Sequence, residues 1–245
     1  MTAAAPVLIF GGVGGIGGEL AKHLAASGRP VVITSRSLDR ASEFGREIGA
    51  RSCAADVLDE ASIAATIATA APDGRLAGLV YAVGSIPLKS LARTTESHLV
   101  EAYRCNVVGA ALAVKHAASA LKAAHGSVVM FSSVAASQGF ANHGIIGPAK
   151  AAVAGLTVAL AAELAPHVRV NAIAPSLSRT PLAAPVVGSD RMAEALADMH
   201  PLQRLGTAED SASLAAFLLS SHAGWITGQV IGVDGGRATL RVGKG

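Results

Sequence analysis

The chain reads as an α/β protein, a Rossmann-type doubly wound parallel sheet of seven strands, on three observations. Seven short runs alternate with Ala- and Leu-rich segments of helical periodicity, most of the runs are continuously apolar, and a glycine cluster follows the first. Continuous apolar strands separated by helices are what a sheet covered on both faces requires. Ligands of such sheets sit in the crevice beyond the carboxyl ends of the strands, so the residues that follow each strand are the first candidates for function.

The strands are expected at Val7–Phe10, Val31–Thr34, Arg51–Ala54, Leu76–Ala82, Ser127–Phe131, Val168–Ala172 and Val230–Val233. Long helices are expected near Ser97–Ala124 and Ile145–Leu164. Their many small residues let helices approach closely, within a subunit or between subunits. No Pro- or Ser-rich linker divides the 245 residues, so one domain is expected over 1–245, with Pro181–Met199 (near 181–200) as a substrate lid.

Composition narrows the function. A net charge of +3 comes from scattered Lys and Arg, and aromatic residues are only 3%, which disfavours nucleic acid as a partner. Met1–Phe10 has no basic region ahead of its short apolar run, and the uncharged stretch between Lys122 and Lys150 is interrupted by Gly126, Ser132, Ser133, Ser137, Gln138 and Asn142. Neither reads as a secretory signal or a membrane span, and a cytoplasmic location is expected. Cys53 and Cys105 lack metal-ligand spacing and read as buried thiols; no metal is expected.

The segment Phe10-Gly11-Gly12-Val13-Gly14-Gly15-Ile16-Gly17 places Gly11, Gly15 and Gly17 where a strand turns into a helix. Bare backbone there can approach a pyrophosphate, and helix-terminal N–H groups can meet its charge. In NAD-binding proteins an acid about twenty residues on accepts from the ribose hydroxyls. Here that place is Ser35, followed by Arg36, Ser37 and Arg40, which suit a 2'-phosphate. NADP(H) is therefore the expected cofactor, unless the arginines are merely solvated surface charges. Asp56, after the third strand, either accepts from the adenine amino group or caps the helix beginning near Glu60.

Together these residues resemble the short-chain dehydrogenase/reductase family over nearly the whole chain. Besides the glycine turn, the family-like elements are Asp56-Val57, Gly84, Asn106, Ser132-Ser133, Lys150, Asn171 with Pro175 and Thr180, the run Pro201 to Gly206, Ile226-Thr227-Gly228, and Val233-Asp234-Gly235-Gly236. The resemblance implies that Lys150 holds the nicotinamide ribose, Asn106 supports a proton-relay water, Ser133 orients substrate and Thr180 contacts the carboxamide. It also implies hydride transfer, a small-molecule substrate and a homotetramer. Three local departures are Phe10, the Tyr81-Ala82-Val83-Gly84 turn and Ser176. A fourth concerns chemistry: Ile146, thirteen residues after Ser133 and four before Lys150, stands where the family places its proton-donating tyrosine.

His143, seven residues before Lys150, is the nearest candidate to replace that donor. Seven helical steps return to within roughly 20° of the same face, although Gly144 suggests a turn between them. A neighbouring ammonium favours the neutral imidazole, which would then donate a hydrogen bond. Plainer readings stand beside each role: His143 as a loop histidine, Ser133 bracing its loop, Asn106 marking a helix kink or water site, and Thr180 as a turn residue. Arg179, His200 and Arg204 read as surface or interface groups. Two functions are consistent with this pattern: an NADPH-dependent reductase of a carbonyl, imine or activated double bond, or an NADP(H)-binding sensor or oligomer partner without turnover.

Overall fold

A computed structural model describes residues 4–242; the first three residues of the Met1–Phe10 stretch and the last three of the 1–245 span lie outside the described residues. In chain order the strands are β1 (Val7–Phe10), β2 (Val31–Ser35), β3 (Arg51–Ala54), β4 (Gly78–Tyr81), β5 (Ser127–Phe131), β6 (Arg169–Pro175), β7 (Ser178–Arg179), β8 (Gly206–Thr207) and β9 (Val230–Val233). The helices are α1 (Gly15–Ala26), α2 (Leu38–Ile48), α3 (Glu60–Ala70), α4 (Glu96–Tyr103), α5 (Gly109–Ala124), α6 (Ile146–Leu164), α7 (Ala184–Val187), α8 (Asp190–Ala197) and α9 (Ala208–Leu218). Seven strands form one parallel sheet in the order β3-β2-β1-β4-β5-β6-β9, and β7 pairs with β8 apart from it.

The pleat sorts alternate strand residues into two cores. Leu8, Phe10, Leu79, Val128 and Met130 pack with α3, α5 and α6. Val7, Ile9, Ile33, Val80 and Val129 face the other way, towards α1 and α9. Burying one such aliphatic side chain contributes roughly 1.5–3 kcal/mol. The stretches Glu96–Ala124 and Ile146–Leu164 are long and apolar enough to cross a bilayer. Their buried residues, among them Ala113, Ala117, Leu121, Val153 and Ala161, instead pack onto this sheet.

Local chemistry explains most boundaries. Ser37, Asp59, Thr95, Ser189 and Thr207 cap α2, α3, α4, α8 and α9 with their side chains, each satisfying an otherwise unpaired N–H. The cap of α3 is thus Asp59 and not Asp56, whose Oδ1 accepts from Leu58 N. In contrast, α1 starts on Gly14 and α6 on Ile145 with no side-chain cap, and both starts lie near the carboxyl ends of the strands. Strand order reverses between β1 and β4, which opens a crevice beyond their ends.

The largest departures from the expected strand boundaries are in β4 and β6. β4 begins at Gly78 rather than Leu76, because the Leu76 and Ala77 N–H groups donate to Ala120 O and Pro6 O outside the ladder. β6 runs on to Pro175, held there by pairing with Val233 of β9. The expected single helix near Ser97–Ala124 begins at Glu96 and is interrupted by a π turn at Arg104–Val108. Such turns widen a helix and disrupt its regular hydrogen-bond ladder. The Tyr81 hydroxyl donates to the Cys105 carbonyl across 2.6 Å, and a side chain at Gly109 would collide with that hydroxyl. Tyr81→Phe should therefore destabilise the fold by about 1–3 kcal/mol, read as a lower urea midpoint with an unchanged slope. An unchanged midpoint would show that the π turn holds without this bond.

Candidate active site and cofactor cleft

The turn after β1 is built so that nothing but backbone fills it. Gly11 has φ +79°, and a Cβ there would come within 2.8 Å of Ala82 O; at Gly12 a Cβ would lie 2.7 Å from Ile33, and at Gly15 2.8 Å from Thr180. At Gly17 a Cβ would run into the Gly11 carbonyl, the same carbonyl that accepts from Gly14 N at 2.9 Å to close the turn. The uncapped amino end of α1, with no acid in its first turn, faces this space. Those N–H groups and the positive end of the helix suit an anion such as a pyrophosphate.

A cleft of about 300 Å³ runs from this turn to the end of β2. Gly11, Gly15, Ile16 and Gly17 line one end, Ser35 and Arg36 with Arg40 the other, and Val57, Gly84 and Thr180 lie between. Among the described residues no carboxylate lines it. Ser35 Oγ accepts from Ser37 N and Ser37 Oγ from Arg40 N, which fixes the loop from which the two guanidinium groups project. Asp56 lies between Ala55 and Val57, which line the cleft, but is itself exposed and closes a local turn. The shape and donor set fit a dinucleotide with an additional phosphate at the β2 end.

Next to the cleft, sharing Ile16, Gly84 and Thr180 with it, is a cavity of about 260 Å³. Ser133, His143, Ile146, Lys150 and Pro175 line it, so the structure brings together the residues singled out after β5 and β6. Ser133 Oγ accepts from Ala135 N at 3.2 Å and is 3.5 Å from Pro175 O; the hydroxyl braces its loop while lining the cavity. Thr180 Oγ1 likewise accepts from Ala183 N.

Lys150 is held from two sides. Its Nζ donates to Phe131 O at 2.8 Å, and its own carbonyl accepts from Ser132 Oγ at 2.8 Å. Burial without a countercharge pushes its ammonium pKa down to about 8. Asn106 stands behind Gly84, on the π turn, with its amide donating to Ala102 O and Ser85 Oγ. Its Oδ1 is buried and accepts nothing from the described residues. A Cβ at Gly84 would lie 2.9 Å from that oxygen and 3.3 Å from Lys150 Nζ, so Gly84 keeps a small polar gap open between them.

The expectations for His143 are corrected in two respects, its placement by helical periodicity and the neutral ring as a donor into the cavity. Helix α6 begins at Ile146, so helical periodicity does not set the face of His143. The turn at Gly144 places it on the cavity wall instead, with His143 O accepting from Gly147 N. Its Nδ1 lies 2.8 Å from Ala141 O. A carbonyl requires a proton on that nitrogen, so the neutral ring presents a lone pair at Nε2 and can donate there only as a cation. Ile146, 3% exposed, presents a hydrocarbon surface to the cavity.

Two features escaped sequence reasoning. His200, read as a surface group, is 2% exposed, with Nδ1 at 2.8 Å from Leu196 O and Nε2 at 2.8 Å from Ser176 Oγ. It pins the end of α8 to the loop after β6. Arg237 and Phe140 also line the cavity, each only a few residues from a segment singled out in the sequence but itself given no role there. Arg204 is a surface group as expected, bidentate to Asp210 at 2.7 Å.

Known proteins resemble the chain in sequence and in fold. Residues 12–238 match a family model described as enoyl-(acyl carrier protein) reductase. An inactive 2-(S)-hydroxypropyl-CoM dehydrogenase of Xanthobacter autotrophicus is 36% identical over 90% of the chain and 100% of its own length. The cis-4-hydroxycyclohexanecarboxylate dehydrogenase of Sinomonas cyclohexanicum is 35% identical over 94% of both chains. Among solved structures, ElxO with NADP bound superposes with a TM-score of 0.90 at 28% identity, covering 97% of this chain and 100% of its own.

Proposed function

The chain belongs to the short-chain dehydrogenase/reductase family of oxidoreductases, and from that premise we propose that it is an NADPH-dependent reductase of a carbonyl, imine or activated double bond. The observation that carries this reading is the shared wall of two spaces, an acid-free dinucleotide cleft ending at Arg36 and Arg40 and a cavity floored by Lys150. Gly11, Gly15 and Gly17 would admit the pyrophosphate, Ser35, Arg36 and Arg40 the additional phosphate, and Lys150 with Thr180 and Pro175 the nicotinamide end. The chemistry the reduced cofactor supplies when bound is donation of a hydride. The NADP bound to ElxO supports the choice of cofactor.

The protein's own part is to position the acceptor and deliver a proton. Ser133 Oγ donates a hydrogen bond that polarises the acceptor. Lys150 Nζ, with its lowered pKa, gives up a proton near neutral pH, and the Asn106 Oδ1 acceptor across the Gly84 gap seats the water that replenishes it. His143 contributes only when cationic. Because Ile146 offers no phenol, acceptors that need less protonation in the transition state, such as conjugated double bonds and imines, are favoured over simple ketones. The α7–α8 segment, with Leu182, Val186 and Leu196 at the cavity, serves as the lid. We also infer a homotetramer in the cytoplasm; the exposed Leu99, Val100, Tyr103 and Val108 along the α4–α5 helix support the assembly.

The test is NADPH consumption by the purified protein against ketones, quinones, imines and enones. Turnover should be present at neutral pH and fall as pH rises through about 8, where Lys150 loses its proton. A protein that binds NADPH yet consumes none across the panel is not a reductase. That result would establish the second reading, a cofactor-binding protein without turnover, which the hydrocarbon face of Ile146 supports.

A further inference from the structure

Arg237 is a second cation, in addition to Lys150, in a cavity wall that is largely apolar but also carries Ser133, His143 and Thr180. Among the described residues no Asp or Glu lines the cavity. The nearest acid in sequence, Asp234, spends its two oxygens on Gly236 N and Ala238 N, each at 2.9 Å. The guanidinium carbon lies 5.0 Å from the centroid of Phe140. Among the described residues its side chain donates one hydrogen bond, across 3.7 Å to the thioether of Met199, a weak acceptor. Burial lowers its pKa with no acid nearby to offset the desolvation. Among the described residues four guanidinium donors thus have no protein acceptor, on a half-buried side chain braced against an aromatic ring.

The turn that carries Arg237 is fixed. Besides the Asp234 bonds, Gln138 Nε2 donates to Ala238 O at 3.1 Å, tying this turn to the loop after β5 that bears Ser133. A side chain held this way is organised for a ligand in advance and loses little freedom on binding. A planar fork of N–H donors matches the two oxygens of a carboxylate.

We propose that Arg237 recognises a carboxylate on the substrate, so that the cavity takes an apolar molecule bearing an acid group away from its reducible bond. This rests on the cavity being the substrate site. In that arrangement the apolar body lies against Ile146, Val186 and Leu196, the acid meets Arg237, and the reducible group reaches Ser133 and Lys150. The carboxylate replaces the Met199 sulfur as the acceptor for Arg237.

The experiment is calorimetric titration of the protein saturated with NADP⁺, using keto acids of increasing apolar length, benzoylpropionate among them, each against its own methyl ester. The wild-type protein should bind at least one acid about 10-fold more tightly than its ester, the scale of one charge-assisted contact. Arg237→Met should erase that preference and leave the ester affinity unchanged, while Arg237→Lys restores part of it. NADP⁺ affinity should be the same in all three proteins, which shows that the fold and the cleft are intact. Esters binding as tightly as their acids, or Arg237→Met leaving the preference in place, would overturn the carboxylate assignment while the reductase reading stands. If NADP⁺ binds and no acid or ester does, the carboxylate assignment falls, while the reductase reading is decided by NADPH consumption across the panel of ketones, quinones, imines and enones.

Discussion

Gly17→Ala should weaken NADPH binding by roughly 10- to 100-fold, the effect of forcing one methyl group into a close-packed backbone turn. The added Cβ has nowhere to go: it meets the Gly11 carbonyl, and Ala82 Cβ stands 3.2 Å away on the other side. The Gly11 carbonyl cannot yield without breaking its bond to Gly14 N, the residue on which α1 starts. The turn therefore opens, and the N–H groups at the start of α1 no longer converge. Fluorescence titration with NADPH measures the loss, and a thermal melt of the free protein separates it from unfolding. Undiminished affinity in a folded Gly17→Ala protein would show that the cofactor does not use this turn.

Lys150→Met should lower turnover by about 10²- to 10⁴-fold, the usual range for removing a positioned proton donor. Methionine fills a similar volume but carries no proton, and Phe131 O loses its donor. Stability should respond in the opposite sense. The ammonium pKa is about 8 in the folded protein against an ordinary value of 10.5, so between those values the unfolded chain holds more protons. Stability of the wild-type protein then rises with pH across that window, and below it the buried ammonium is a cost. A Lys150→Met protein that has lost turnover yet melts no lower at neutral pH fits this account. A protein with wild-type turnover would remove Lys150 from the chemistry.

Much of the fold is legible in the amino-acid sequence because the signals are local. β1, β3, β5 and β9 fall where their runs do, and the glycine turn lies where a strand must hand over to a helix. What escapes is set by partners distant in sequence. The extension of β6 to Pro175 depends on β9, the π turn is matched by the hydroxyl of Tyr81, and the two-residue strands β7 and β8 are too short to show any period. The site divides in the same way. Residues next to strand ends, such as Ser133, Thr180 and Arg36, reach the walls expected of them. His143 reaches the cavity through a turn rather than along a helix, and His200 is buried because Ser176 and Leu196 O happen to meet both its nitrogens. Arg237 carries no local signature; only the folded turn after β9 brings it beside Phe140.

The claim on which the rest depends is that the cleft takes a phosphorylated nicotinamide dinucleotide. Parallel titrations of the wild-type protein and an Arg36→Ala, Arg40→Ala double variant with NADPH and NADH test it most directly. The account predicts tight binding of NADPH by the wild type, a preference over NADH, and loss of that preference in the variant with NADH binding little changed. Equal affinity of the wild-type protein for the two cofactors, or binding of neither, would contradict it.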